Sequence, residues 1–138
     1  MQFDHFGIFV TDIWDAYARL TAHVPIKTRS FTINDSVWGA TILLAYGMGD
    51  VVYELIEPMP GGLIQKVAEA AEGGINHVAY RVSSLDASLA TAKDNGGEVL
   101  AGPLPRLGGG DCKAAFVETK LGIIMEFIEE TATKKAAA

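Results

Sequence analysis

Two histidines and two glutamates recur along this chain at a single interval. His5 and His77 stand 72 residues apart, and so do Glu54 and Glu126. Each lies in an echoed segment. Phe3-Asp4-His5-Phe6-Gly7-Ile8-Phe9-Val10 aligns with Ile75-Asn76-His77-Val78-Ala79-Tyr80-Arg81-Val82, and Val51-Val52-Tyr53-Glu54-Leu55-Ile56-Glu57 aligns with Ile123-Ile124-Met125-Glu126-Phe127-Ile128-Glu129. Strand alternation puts Glu54 on a face with Val52 and Ile56, and Glu126 on a face with Ile124 and Ile128. A carboxylate among buried aliphatics is costly unless it is paired, protonated or bound to a metal. Here the pattern occurs twice, each time with a partner imidazole. Two such halves, paired face to face, would bring two nitrogens and two oxygens to one point. That donor set suits a borderline divalent ion: Ni, Co, Zn, Mn or Fe. On a six-coordinate ion it leaves two positions for water or substrate. The remaining histidine, His23, has no such partner and reads as a surface residue near a helix end.

These residues need elements to hold them. Segment 2–10 is a short apolar run that suggests a strand. Thr11 or Asp12 then offers an N-cap for a helix through about His23, whose Ile13, Ala16, Tyr17 and Leu20 follow helical spacing; Pro25 stops it. Segments 26–33, 37–46 and 50–57 read as three strands, punctuated by Asn34-Asp35 and Gly47-Met48-Gly49. Pro58-Met59-Pro60-Gly61-Gly62 breaks the chain, and 63–71 reads as a connecting helix closed by Gly73-Gly74. The order then repeats: a strand over 75–82, a helix over 84–94, a strand over 98–101, a Pro/Gly-rich loop over 103–110, and strands over 112–118 and 122–129. The expected fold class is α+β, with two tandem βαβββ modules over 1–58 and 74–130. A linker over 59–73 joins them into one domain of residues 1–130, followed by a flexible tail over 131–138.

Composition narrows the partners. Net charge is −6, which argues against nucleic acid, because phosphate binding wants a basic face. No apolar run reaches the roughly 18 residues of a membrane span. Cys112 is the sole cysteine, so an internal disulfide is impossible; with no secretory signal read at the N-terminus, a cytoplasmic protein is expected.

Together these features resemble the vicinal oxygen chelate superfamily, which includes glyoxalase I, methylmalonyl-CoA epimerase, extradiol dioxygenases and bleomycin-resistance proteins. The resemblance runs to about Glu130. It implies paired modules forming a cupped sheet around a metal, His5, Glu54, His77 and Glu126 as its ligands, and a homodimer. Asp4-His5, Glu54-Leu55-Ile56-Glu57-Pro58, Asn76-His77-Val78-Ala79-Tyr80-Arg81-Val82 and Gly109-Gly110-Asp111-Cys112-Lys113-Ala114-Ala115-Phe116 look most like the epimerase branch. Those epimerases usually carry Gln at the position of Glu54, a further acidic base at the position of Ile42, and a longer loop than Thr119-Lys120-Leu121-Gly122. The His, Glu, His, Glu set, with Ala115-Phe116-Val117-Glu118, is similar instead to bacterial glyoxalase I. Phe9 and Pro58 stand where that group holds glutathione with Arg and Asn, so a glutathione-dependent lyase ranks second. A dioxygenase needs an open metal face that Glu54 would fill. A non-catalytic small-molecule-binding module is the remaining alternative.

Both leading readings share one step, removal of a proton next to a carbonyl or thioester while the metal acts as Lewis acid. Glu54 and Glu126, set by pseudo-twofold symmetry on opposite sides of a substrate, are the expected bases. One would remove the proton and the other return it. Arg81, Arg106 and Lys113 are candidates for a carboxylate or phosphate contact to the acyl-thioester or carbonyl substrate or its carrier. Trp14, Trp38 and Tyr80 read as core or pocket wall.

Overall fold

The computed structural model describes residues 1–71 and 75–130. Strand β1 (Gln2–Phe9), helix α1 (Ile13–His23) and strands β2 (Ile26–Arg29), β3 (Ile33–Asp35), β4 (Ala40–Gly47) and β5 (Val52–Pro58) form the first half. Helix α2 (Leu63–Ala70) connects to β6 (His77–Val82), α3 (Leu85–Asp94), β7 (Glu98–Pro105), β8 (Lys113–Glu118) and β9 (Ile124–Glu129). The expected Gly73-Gly74 helix stop and the 131–138 tail lie outside the described residues. Among the described residues, no helix is long and apolar enough to cross a membrane.

All nine strands join one mixed sheet in the order β2-β4-β5-β1-β6-β9-β8-β7, with β3 paired to β4. The fold is α+β, and its two halves obey one register. Parallel β1 and β5 set Gly7 opposite Glu54; parallel β6 and β9 set Ala79 opposite Glu126. Antiparallel β1 and β6 join them, with His5 opposite Ala79 and Gly7 opposite His77. The four repeat residues therefore arise on four neighbouring strands.

Alternating side chains feed two layers. On one face α1 covers Leu43, Ala45 and Leu55, while α3 packs Leu85 and Leu89 onto Val117 and Phe127. The other face holds Trp38, Ile42, Ile56, Phe116 and Ile124, and α2 inserts Ile64 and Val67 among them.

The repeat also explains the second acid of each Glu-x-x-Glu segment. Glu57 Oε1 accepts the Ile13 N–H at 3.0 Å, and Glu129 Oε1 accepts the Leu85 N–H at 3.1 Å. Each strand end thus caps the first turn of its own half's helix, beside the caps from Asp12 and Ser84. Glu57→Ala and Glu129→Ala should each cost about 1 kcal/mol, and the pair should add because the sites share no partners. Urea unfolding of the metal-free protein measures both.

Three local readings need correction. Segment 26–33 is not one strand, because Ser30 Oγ accepts the Leu44 N–H at 2.9 Å while the Ser30 N–H donates to the Leu44 carbonyl; a side chain replaces part of the ladder and the strand ends at Arg29. The next strand begins at Ala40 rather than Val37, because Asp35 Oδ1 accepts the N–H groups of both Val37 and Trp38 and folds the segment into a turn. That turn buries Trp38, whose indole N–H donates to the Pro105 carbonyl at 2.7 Å. Finally, β7 runs through Pro103 to Pro105 instead of ending at Ala101. It is the outermost strand, and a proline there removes a donor that the ladder does not need.

Candidate metal centre

The sheet register converges the four repeat residues. Their donor atoms all lie within 4.8 Å of one another, and every one of the four side chains is buried. His5 Nε2 is 3.2 Å from Glu126 Oε1, 3.5 Å from Glu54 Oε1 and 3.3 Å from His77 Nε2. His77 Nε2 is 3.4 Å from Glu126 Oε1 and 4.0 Å from Glu54 Oε1. Gly7 leaves the room for this, since any side-chain carbon at that position would overlap the His77 ring.

The donor chemistry fits a cation. Two imidazole nitrogens face each other across 3.3 Å, where at most one proton can sit between them. Oε1 of Glu54 and Oε1 of Glu126 are buried without a hydrogen-bond partner among the described residues. Leaving such groups unsatisfied is expensive, and a divalent ion in their midst would engage all four lone pairs.

An outer set of charges surrounds the first arm. His5 Nδ1 lies 2.7 Å from Asp4 Oδ2, which assigns its proton to Nδ1 and turns the other nitrogen to the centre. Simple alternation would send Asp4 to the opposite face from His5. A bulge in β1 between Phe3 and His5 re-aims it. Asp4 is in turn held by Arg106, whose Nη2 donates to Oδ2 at 3.3 Å, and by Arg81, whose Nε sits 3.2 Å from Oδ1 in ion-pair contact without hydrogen-bond alignment. Burial works against the Asp4 carboxylate, but His5, Arg106 and Arg81 outweigh it and hold its pKa below the ordinary value.

In the metal-free centre, burial opposes a charged His5, yet Glu54, Asp4 and Glu126 together raise its pKa well above 6.5. Burial likewise opposes ionised Glu126, and His5 and His77 override it, keeping that carboxyl ionised far into acid. The sign of the metal dependence follows. Below its raised pKa, His5 must surrender the Nε2 proton before that nitrogen can bind an ion. Metal affinity should therefore weaken as pH falls, by about tenfold per unit for one displaced proton, and level off above the raised value. Competition against a chelator of known affinity, across pH, measures the slope.

A cleft of about 550 Å³ opens onto the centre, lined by Ile33, Ile42, Leu44, Glu54, Arg106 and the loop from Leu107 to Cys112. Asp35 shapes its rim, because Oδ2 accepts the Gly108 N–H at 2.9 Å. Glu54 is among the lining residues. Glu126 is not among the lining residues; it sits opposite Phe116 in the register. Of the three cations singled out from sequence, Arg106 lines the cleft, Arg81 is engaged by Asp4, and Lys113 is exposed outside the lining. Trp38 is core, Trp14 is half-exposed with Arg29 stacked 4.9 Å over its ring, and Tyr80 packs edge-on against Phe3. Sequence reasoning missed Asp4 and Asp35. The signal for Asp4 was its place beside the first histidine, where the second half has uncharged Asn76.

Comparison with known proteins agrees with this picture. The family model described as Glyoxalase/Bleomycin resistance protein/Dioxygenase superfamily matches residues 4–116. A hypothetical protein from Bacillus halodurans C-125 superposes with a TM-score of 0.74 at 26% identity, over 94% of each chain. Methylmalonyl-CoA epimerase from Mycobacterium tuberculosis gives 0.67 at 25% identity, over 99% of this chain and 92% of that one. A glyoxalase I mutant from Zea mays gives 0.66 at 14% identity, over 96% of this chain and 44% of its own, a likeness of fold. No curated protein sequence matches.

Proposed function

The chain belongs to the Glyoxalase/Bleomycin resistance protein/Dioxygenase superfamily, and on that footing we propose that it is a metal-dependent isomerase or epimerase that moves a proton on the carbon next to a carbonyl or thioester. The observation that carries this reading is the set of two convergent imidazoles and two carboxylates, one of them, Glu54, lining an open cleft. The likeness to a methylmalonyl-CoA epimerase at 25% identity supports an acyl thioester as substrate. His5, Glu54, His77 and Glu126 would hold a divalent ion, which when bound supplies Lewis-acid stabilisation of negative charge on the substrate oxygen.

The chain's own residues do the rest. Ile33, Ile42 and Leu44 wall the cleft with hydrocarbon and limit the water around the reacting carbon. The Glu54 carboxylate is the proton acceptor, since it lines the cleft while its Oε1 is turned to His5 and His77. Glu126, buried beside Glu54 in the cluster, returns the proton in an epimerase. A second reading rests on the asymmetry between the two. With Glu54 the one buried carboxylate among the lining residues, it would both take and return the proton, the pattern of a glyoxalase I-type isomerisation.

Incubating metal-loaded protein with acyl-CoA thioesters in deuterated water distinguishes these. Deuterium entering the carbon beside the thioester, with loss of stereochemical purity, is the expected result. Turnover of a hemithioacetal that requires glutathione would shift the assignment to the second reading. Absence of both, with tight binding of an intact ligand, would replace enzyme with binding module.

A further inference from the structure

We propose that Asp4 is a positioning residue that makes the first half of the repeat the anchor of the metal centre, with His77 as the weaker of the two imidazole ligands. This rests on the reading that the four buried residues hold a divalent ion.

The two arms descend from one pattern but are not equivalent. Asp4 and Asn76 occupy the same place in the repeat, each just before its histidine. The Asp4 carboxylate accepts from His5 Nδ1 at 2.7 Å. The Asn76 carboxamide oxygen instead accepts the Phe9 N–H, and His77 Nδ1 is buried with no hydrogen-bond partner among the described residues. Around the His77 ring stand Phe9 and Phe116, with centroids 5.7 and 5.1 Å away, and neither offers an acceptor. The difference has a backbone cause. The bulge between Phe3 and His5 turns Asp4 toward the ring it serves, whereas Asn76 lies just ahead of β6 and spends its carboxamide oxygen on the β1 backbone at Phe9.

The carboxylate is itself fixed from the other half of the molecule. Arg81 comes from β6 and Arg106 from the segment after β7, and both converge on Asp4. A carboxylate that accepts the outer N–H of a ligating imidazole locks its orientation and raises its basicity. His5 receives that support and His77 does not. Tethering Asp4 to two guanidiniums from the second half also ties the anchor across the β1–β6 seam.

The test uses Co²⁺ as the probe. Affinity is measured by chelator competition, and the exchangeable imidazole N–H signals of the Co²⁺-loaded protein are followed by proton NMR. Wild type should give one slowly exchanging N–H, from His5. Asp4→Asn should weaken Co²⁺ by about 10- to 100-fold and speed exchange of that signal, with one ion per chain still bound at saturation. Arg81→Gln, which leaves the Asp4 to His5 bond in place, should move both readouts the same way by less, and it serves if Asp4→Asn fails to fold. Affinity within threefold of wild type together with unchanged exchange would overturn the assignment. Failure of wild type itself to bind Co²⁺ would remove the metal reading beneath it.

Discussion

With Glu54 as the proposed base, Glu54→Gln should still bind a divalent metal and lose the proton transfer. The amide is nearly the same shape as the carboxylate, and its carbonyl oxygen can still face His5 and His77 across the short distances that Oε1 now spans. It cannot accept a proton at neutral pH. Loss of a positioned general base typically costs about 10² to 10⁴ in rate, so deuterium uptake beside the thioester should fall by that factor while elemental analysis still finds near one ion per chain. The resemblance to epimerases sharpens the expectation. Those proteins usually carry Gln at this position and a separate acid on the third strand, but here that place is Ile42, a buried aliphatic. No second acid on the cleft wall is placed to take over, since the other acidic lining residue, Asp111, is exposed on the rim loop. Glu126→Gln is the companion variant. Equal losses in both would argue for two bases on opposite sides of the substrate; a loss confined to Glu54→Gln would argue for one. Undiminished exchange in Glu54→Gln would end its role as base.

The convergence of the four side chains was legible in the sequence because three constraints coincide there. A fixed interval related the residues, strand alternation put each glutamate among aliphatics, and the parallel pairing of β5 with β1 and of β9 with β6 repeats at that same interval. The helix cap at Asp12, read as Thr11 or Asp12, was legible for a similar reason, since it depends on a contact a few residues away. What escaped depends on partners distant in sequence or on a break in period. Asp4 reaches His5 only through a bulge, which alternation cannot foresee. Asp35 sits where a turn signal is plain, yet its hold on Gly108 spans the two halves. Pro103 and Pro105 read as loop because a proline spoils an interior strand; their strand proved to lie at the sheet's margin, which is a property of topology rather than of local composition. The charge partners of Arg81 and Arg106 were hidden for the same reason, because Asp4 joins segments roughly 80 to 100 residues away.

Gly7→Ala should damage the centre from a residue that donates nothing to it. Gly7 lies opposite His77 across β1 and β6, and the imidazole occupies the space where a methyl group would stand. The ring cannot step aside freely, because Phe9 and Phe116 flank it. Either the ring leaves the centre or the strands part. Overpacking of this kind costs about 1 to 3 kcal/mol, measurable by urea unfolding of the metal-free protein. Ion affinity should drop by more than the roughly 100-fold upper range for loss of an outer-shell partner, because a proposed ligand, His77, is itself displaced. The decisive measurement is a double-mutant cycle. If the clash is with the imidazole, His77→Ala makes room for the added methyl, and Gly7→Ala should cost little in that background. The two changes would then be strongly non-additive in stability, with the coupling close to the full cost of Gly7→Ala alone. Additive losses would mean that Gly7 is needed for the backbone of β1 itself and not to seat the ring, and the steric account of the second arm would fail.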